Sequence, residues 1–252
     1  MRTPTWQQNE KHWGLRPTSR WSGVIAAGRT VGAELRMALS EGVRARRLRR
    51  LAAHTHPRVS LGSGTTVPPG WIGLDAERTG PAVHRWDLRR GLPFGTGTVT
   101  GYLLEHSLEH IYLDDARRLL RECYRTLRPG APIRIVSPDV RFLVEVVAGG
   151  TQDWVREQIG YDQEIHRWVD EDELDLFVVN RLSHQWGAHL GLLSAPWVAR
   201  MLEKFGFAEI TTVSPDTSKH FDRAPSTHRD RFPGPDHEAF AVEAVRPGGD
   251  DR

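Results

Sequence analysis

The sequence predicts an α/β domain built on a mainly parallel sheet with helices on both faces. Three observations carry this expectation. Short strand-like runs, each bounded by glycine or proline, recur between residues 58 and 136. A segment of helical period at 114–128 separates two of them. Two more runs, at 208–213 and 238–245, follow another helical pattern, and strands alternating with helices argue for a parallel sheet. The 252 residues suit one medium domain with additions better than two independent domains.

The elements can be justified in order. Residues 1–57 read as an N-terminal helical arm. Its first 20 residues are polar, and apolar residues then fall at helical spacing at Val31, Leu35, Leu39 and Val43, and again at Leu48 and Leu51. Gly42 divides this pattern in two. Strands are expected at 58–61, 71–75, 82–88 and 98–104. The helix at 114–128 is expected to be capped by Asp114 or Asp115, with a stripe of Ala116, Leu119, Leu120, Cys123 and Leu127, and it stops at Pro129-Gly130. A fifth strand at 132–136 leads through Ser137-Pro138-Asp139 into the next helix.

Residues 141–193 carry helical patterns and no strand pattern, and are expected to form a cap inserted in the sheet domain. Ser194 then caps a helix with Val198, Met201, Leu202 and Phe205 on one face, ended by Gly206. The strands at 208–213 and 238–245 flank a polar loop, 214–237, whose histidines (His220, His228 and His237) are expected to decorate a mobile segment that could close over a substrate. Residues 58–246 thus form the main domain, and 247–252 a disordered tail.

Composition excludes several classes. A lone cysteine, Cys123, rules out an internal disulfide framework and a multi-cysteine zinc site, and its place on the helix stripe predicts a buried, silent thiol. Apolar runs such as 176–179 are too short to cross a membrane. The N-terminus has no apolar block of the secretory kind, so a cytoplasmic location is expected. Net charge is +2, and the chain as a whole is not a polyanion binder. The near balance conceals an arginine run at 44–50 and an acidic block at 162–175. The run lacks interleaved aromatics and reads as a solvated helix face, with nucleic-acid binding as the alternative.

In parallel sheets, ligands bind beyond the carboxyl ends of the strands, and four motifs sit there. Leu61-Gly62-Ser63-Gly64 can turn tightly and let a ligand approach the backbone. Asp75 can accept hydrogen bonds from two ribose hydroxyls, and Asp87-Leu88 can take an adenine amino group. His106-Ser107-Leu108-Glu109-His110 follows the fourth strand.

With these motifs the sequence resembles the class I S-adenosylmethionine-dependent methyltransferases, in particular a small bacterial branch with a short cofactor loop and a His-x-Leu-Glu-His motif after strand 4. The resemblance covers about residues 58–213. It runs through Leu61-Gly62-Ser63-Gly64 with Gly70-Trp71-Ile72-Gly73-Leu74-Asp75, Trp86-Asp87-Leu88 with Leu92-Pro93-Phe94, and His106 to His110. It continues in Leu127-Arg128-Pro129-Gly130, Ile133 to Asp139, Trp186 to His189 and Gly206-Phe207. It implies a doubly wound, seven-stranded, mostly parallel Rossmann-like sheet and S-adenosyl-L-methionine as cofactor. Leu61, Gly62, Ser63, Gly64, Asp75, Asp87, Leu88 and Glu105 would bind it. His106, His110 and His189 would face the methyl-transfer site, with His106 or His110 as general base. The acceptor is expected to be a small molecule, in a tailoring step of bacterial secondary metabolism or glycan decoration. A homodimer is left open.

The sequence departs from the branch at Ser63, usually a cysteine; at Thr100, often an aspartate; and at Ala188, usually a glycine. The stretch from Gly64 to Trp71 is short for a parallel crossover, so the family's first helix must shrink to about a turn.

Three rival readings remain open. The first is an RNA or tRNA methyltransferase using the arginine run. The second is a protein that keeps the fold without methylating. The third is a zinc hydrolase, because His106, Glu109 and His110 match the His-x-x-Glu-His pattern of inverted zinc peptidases. That pattern needs a helix through it, and here it follows a strand, so no metal is expected.

Overall fold

The computed structural model describes residues 42–43, 45–53, 55–65, 67–76, 80–149, 179–180, 183–184, 188–225 and 238–248. The chain divides into two compact units, residues 1–42 and 43–252. Of the first, only Gly42 is described. The early apolar positions Val31, Leu35 and Leu39, the acidic block, His228, His237 and the end of the tail lie outside the described residues, as does most of the 141–193 segment.

The strands are β1 (Arg58–Leu61), β2 (Trp71–Asp75), β3 (Val83–Arg85), β4 (Gly101–Glu105), β5 (Pro132–Pro138), β6 (Ala208–Val213) and β7 (Ala239–Val245). They form one sheet in the order β3-β2-β1-β4-β5-β7-β6, parallel except for β7, which runs antiparallel to both neighbours. The expected seven-stranded, mostly parallel α/β sheet is therefore the observed one. Alternation along the strands sends Val59, Leu61, Leu74, Tyr102, Leu104, Ile133 and Ile135 into one large apolar cluster. Leu103 and Trp71 instead join Phe221 in a smaller one.

The large cluster is covered by α1 (Leu113–Thr126), through Ala116, Leu119, Leu120 and Cys123, and by α3 (Ala195–Lys204), through Ala195, Val198, Met201 and Leu202. Ala45, Leu48 and Ala52, three and four residues apart in the helical residues 45–53, pack into the same cluster. Arg46, Arg47, Arg49 and Arg50 are exposed. These four arginines of the run thus lie on the solvated side of a helix whose apolar side packs on the core. One expectation about this segment fails: Val43 is exposed rather than on the apolar stripe.

Other boundaries move for identifiable reasons. The strand expected at 82–88 ends at Arg85, because Asp87 takes the Arg89 N–H at 3.0 Å and opens a 3-10 turn, Leu88–Arg90. The strand expected at 98–104 begins only at Gly101. The N–H groups of Thr98 and Val99 go to the Thr126 carbonyl at the end of α1, and that of Thr100 goes to Pro57. The Thr100 hydroxyl also donates to the His56 carbonyl at 2.8 Å, so a threonine here ties down the chain entering β1. Asp114 and Asp115 do not cap α1. Tyr112 holds the cap position without a side-chain bond, and the two acids lie in the first turn, where the helix dipole favours them. Ser194 stands at the cap of α3, but its hydroxyl makes no capping bond.

Beyond β5, α2 (Val140–Gly149) starts after Asp139, which accepts the Arg141 N–H at 3.0 Å. The loop after β6 is not a loose segment in its described half. Arg134, fully buried on β5, is ion-paired with buried Glu243 of β7 and donates to the carbonyls of Pro215 and Thr217. Glu243 in turn accepts from the Ser218 hydroxyl and from the N–H groups of Lys219 and His220. A buried cation and a buried anion need every available partner, and the backbone of 214–220 supplies them. Phe221 then packs on Trp71, ring centroids 5.9 Å apart. His220 is held against β6 through the Glu209 carbonyl, which corrects the expectation of a mobile histidine.

Candidate active site

The carboxyl ends of three central strands lie level. Leu61 pairs with Leu74 on one side and Leu104 on the other, so Gly62, Asp75 and Glu105 each stand one residue beyond that row. Asp87 lies two residues beyond the end of β3. With adjacent strands about 4.8 Å apart, the row from β3 to β4 spans roughly 14 Å.

The loop after β1 is shaped by contacts that exclude side chains. Gly62 and Gly64 have φ of +66° and +59°, the left-handed region that favours glycine. A Cβ on Gly62 would lie 2.5 Å from Ser107 Cβ, and one on Gly73 would lie 2.3 Å from Ser63 Oγ. The Gly62 N–H donates to the Leu74 carbonyl at 2.8 Å, and the Gly64 N–H donates to Asp75 Oδ2 at 2.8 Å. The loop therefore lies flat on the end of β2, and the Asp75 carboxylate fixes it there. The residues described between β1 and β2 form turns and no helix, as the short connection implied.

Asp87 is buried and already engaged. Its oxygens accept from the Arg89 N–H and guanidinium, and Arg90 stands 3.6 Å away. Burial pushes its carboxyl up, but the Arg89 hydrogen bonds and the two arginine charges outweigh this and hold it below the ordinary value. Leu88 packs against the large cluster.

At the end of β4, Glu105 is buried and His106 has a φ of +48°, unusual for a residue with a side chain. The His106 N–H donates to the Val136 carbonyl at 2.9 Å, which holds this conformation. The chain then makes a 3-10 turn, Leu108–His110. His106 and His110 therefore do not share a helix face, and the geometry of an inverted zinc peptidase is absent from the motif.

The turn instead builds a cluster around Glu109, which is 2% exposed. His106 Nδ1 lies 3.3 Å from Glu109 Oε1, and the Ser137 hydroxyl donates to Oε2 at 3.2 Å. The Glu109 carbonyl accepts the N–H groups of Leu190 and Gly191 at 2.8 and 3.1 Å, bringing the segment before α3 against the turn. His110 Nδ1 meets the Ala188 carbonyl at 3.1 Å, and the rings of His110 and His189 stand edge to face, centroids 4.9 Å apart. Burial pushes the Glu109 carboxyl up. The adjacent His106 imidazole, then the His110 charge, reverse this and hold it below its ordinary value.

The structure thus gathers His106, His110 and His189, which are far apart in sequence, around one acid. It places Leu61, Gly62, Ser63, Gly64, Asp75 and Glu105 on neighbouring strand ends, with Asp87 and Leu88 at the side. Of the insertion's His166, His184 and Trp168, which would line the pocket, His166 and Trp168 lie outside the described residues, as does Trp186, whereas His184 is exposed and its carbonyl accepts the His189 N–H at 3.2 Å. Two serines were missed. Ser107 is buried beside Gly62, and its hydroxyl has no hydrogen-bond partner among the described residues. Ser137 is buried against Glu109. No periodicity or spacing marks either one, because both act through contacts across strands.

Residues 72–135, from β2 into β5, match the family profile described as methyltransferase domain. No curated protein matches the sequence. Among solved structures, the chain is similar to an S-adenosylmethionine-dependent methyltransferase of Thermotoga maritima described as a possible histamine N-methyltransferase. That likeness has 16% identity, 86% of this chain, 96% of that one and a TM-score of 0.45. A methyltransferase of Archaeoglobus fulgidus gives 16% identity, 81% and 93% coverage, and a TM-score of 0.42. A phosphoethanolamine N-methyltransferase of Haemonchus contortus, holding S-adenosylhomocysteine, gives 13% identity, 76% and 49% coverage, and a TM-score of 0.41.

Proposed function

We propose that this chain, with a methyltransferase-domain profile over 72–135 and a Rossmann-like sheet of seven strands, is an S-adenosylmethionine-dependent methyltransferase acting on a small molecule. One observation carries the reading. The glycine loop after β1 is bonded to the acid at the end of β2, level with the end of β4. The cofactor fits this edge, because Gly64 is in the left-handed region with open space where a Cβ would stand, so a ligand can approach the backbone there. Gly62, Ser63 and Gly64, with Leu61 and Glu105 beside them, would hold the amino-acid portion. Asp75 would take the ribose, and Asp87 and Leu88 the base. When bound, the cofactor supplies an electrophilic methyl group on a sulfonium.

The protein's own contribution is then positioning and proton management. Methyl displacement depends chiefly on holding the two partners in line. His106 is the base the geometry favours over His110. Its Nδ1 faces the Glu109 carboxylate, which places the ring proton there and the basic lone pair on Nε2. That nitrogen would take the proton of an acceptor hydroxyl. His110 Nδ1 faces a neutral backbone carbonyl instead of a carboxylate, so its imidazole lacks that support, and His189 would lie on the acceptor side. A tailoring role in a bacterial cytoplasm follows from the resemblance. Among the described residues, no helix is long and apolar enough to cross a membrane.

Calorimetry with S-adenosylmethionine tests the reading. Saturable micromolar binding that Asp75→Ala weakens is expected, and no detectable binding to the wild-type chain would overturn it.

A further inference from the structure

The cluster around Glu109 holds more than a base and its partner. We propose that Glu109, His110 and His189 form a binding site for one divalent transition-metal ion, with the remaining coordination positions left to water or to an acceptor oxygen. Their ligating atoms all lie within 4.8 Å of one another. Two come from the 3-10 turn after β4 and one from the segment before α3. The paired bonds from Leu190 and Gly191 to the Glu109 carbonyl lock these segments together. The site is therefore assembled by the backbone and does not depend on mobile side chains meeting.

Two of the three ligands are prepared for the role. A carbonyl oxygen only accepts, so the contact of His110 Nδ1 with Ala188 puts the ring proton on Nδ1 and the lone pair on Nε2. Metal-binding imidazoles are oriented by this kind of outer bond. Glu109 has Oε2 held by the Ser137 hydroxyl. Its Oε1 is buried without an acceptable hydrogen bond among the described residues, the nearest donor being His106 Nδ1 at 3.3 Å. A buried carboxylate oxygen left in that state is costly, and a cation would satisfy it. Two imidazoles and one carboxylate suit Zn²⁺, Co²⁺ or Ni²⁺ rather than Mg²⁺ or Ca²⁺, which prefer oxygen donors. Three protein ligands with an open position are the pattern of reactive rather than structural zinc. The trio differs from the His-x-x-Glu-His reading of the sequence: His189 takes the place of His106, and Glu109 becomes a ligand instead of a base.

The inference stands apart from methyl transfer, although a hydroxyl bound at the open position would become more acidic. The test uses the full chain, stripped with chelator and titrated with Co²⁺ followed by visible absorption, then with Zn²⁺ by calorimetry. One equivalent should bind with a ligand-field band of low coordination number. His189→Ala removes a ligand from a half-buried segment and should weaken binding by more than about a hundredfold, beyond the roughly 10–100-fold typical of outer-shell changes. Glu109→Gln should do the same if it folds. His220→Ala, whose imidazole sits on the Glu209 carbonyl, should leave binding unchanged. Absence of saturable 1:1 binding, or equal affinity in His189→Ala, would overturn the proposal. S-adenosylmethionine calorimetry on the same preparation separates the two readings, because cofactor binding without metal binding removes this one alone.

Discussion

A Cβ added to Gly62 would stand 2.5 Å from the Cβ of Ser107. The loop after β1 and the turn after β4 thus meet with no room for a side chain, and Gly62 also has φ at +66°. Gly62→Ala should suffer both penalties, about 1–3 kcal/mol from overpacking and about 1–2 kcal/mol from the left-handed conformation. Chemical denaturation should show the loss, and cofactor affinity should fall with it. Ser107→Gly in the Gly62→Ala background should restore the packing part and leave the conformational part.

Asp75 is predicted to matter twice, as a ribose acceptor and as the anchor of the Gly64 N–H at 2.8 Å. Asp75→Asn keeps the shape and can still accept one bond, whereas Asp75→Ala cannot. Calorimetry should rank cofactor affinity as wild type, then Asn, then Ala, with at least about tenfold between the first and the last. Equal affinity in all three would place the cofactor elsewhere.

The buried pair Arg134–Glu243 should dominate the acid sensitivity of the fold. Burial raises the Glu243 carboxyl, but bonds from Ser218, the Lys219 N–H, Arg134 and the His220 N–H bring it below the ordinary 4.5. A depressed carboxylate contributes stability that is present above the unfolded value and lost as pH falls through the folded one. Glu243→Gln should therefore cost about 3–5 kcal/mol at pH 7, and the gap to wild type should narrow below pH about 4.5. Denaturant midpoints at pH 7 and pH 3.5 would check this.

The helical residues 45–53 offer a test of orientation. Leu48 is 1% exposed, while Arg46 and Arg49 face solvent. Leu48→Ala should cost about 2–5 kcal/mol, and Arg46→Gln with Arg49→Gln should stay within about 0.5 kcal/mol each. A large effect of the arginine changes on thermal unfolding would mean that these side chains are structural partners.

Cys123 is fully buried, and burial, with the Glu122 charge, pushes its thiol well above the ordinary range. A thiol reagent at pH 8 should leave the native protein unmodified and label one thiol only after denaturant is added. Labelling at native conditions, at a rate independent of denaturant, would place the residue at the surface.

Local patterns in the sequence determined the sheet, the apolar stripe of α1, the buried cysteine and the glycine loop, because these depend on periodicity and on backbone freedom that a few residues express. The row of cofactor candidates was legible for the same reason: strand ends are marked by glycine and acid. Tertiary structure decided what those patterns could not express. β3 and β4 are shorter than their apolar runs, since their ends spend backbone bonds on Asp87, Thr126 and Pro57. The described half of the loop after β6 is pinned, because Arg134 and Glu243, 109 positions apart, must be neutralised together inside the sheet. Most of all, His189 reaches Glu109 and His110 only through backbone bonds between distant segments. A long-range juxtaposition of that kind leaves no period in the chain, and so the histidine motif changed meaning once it was folded.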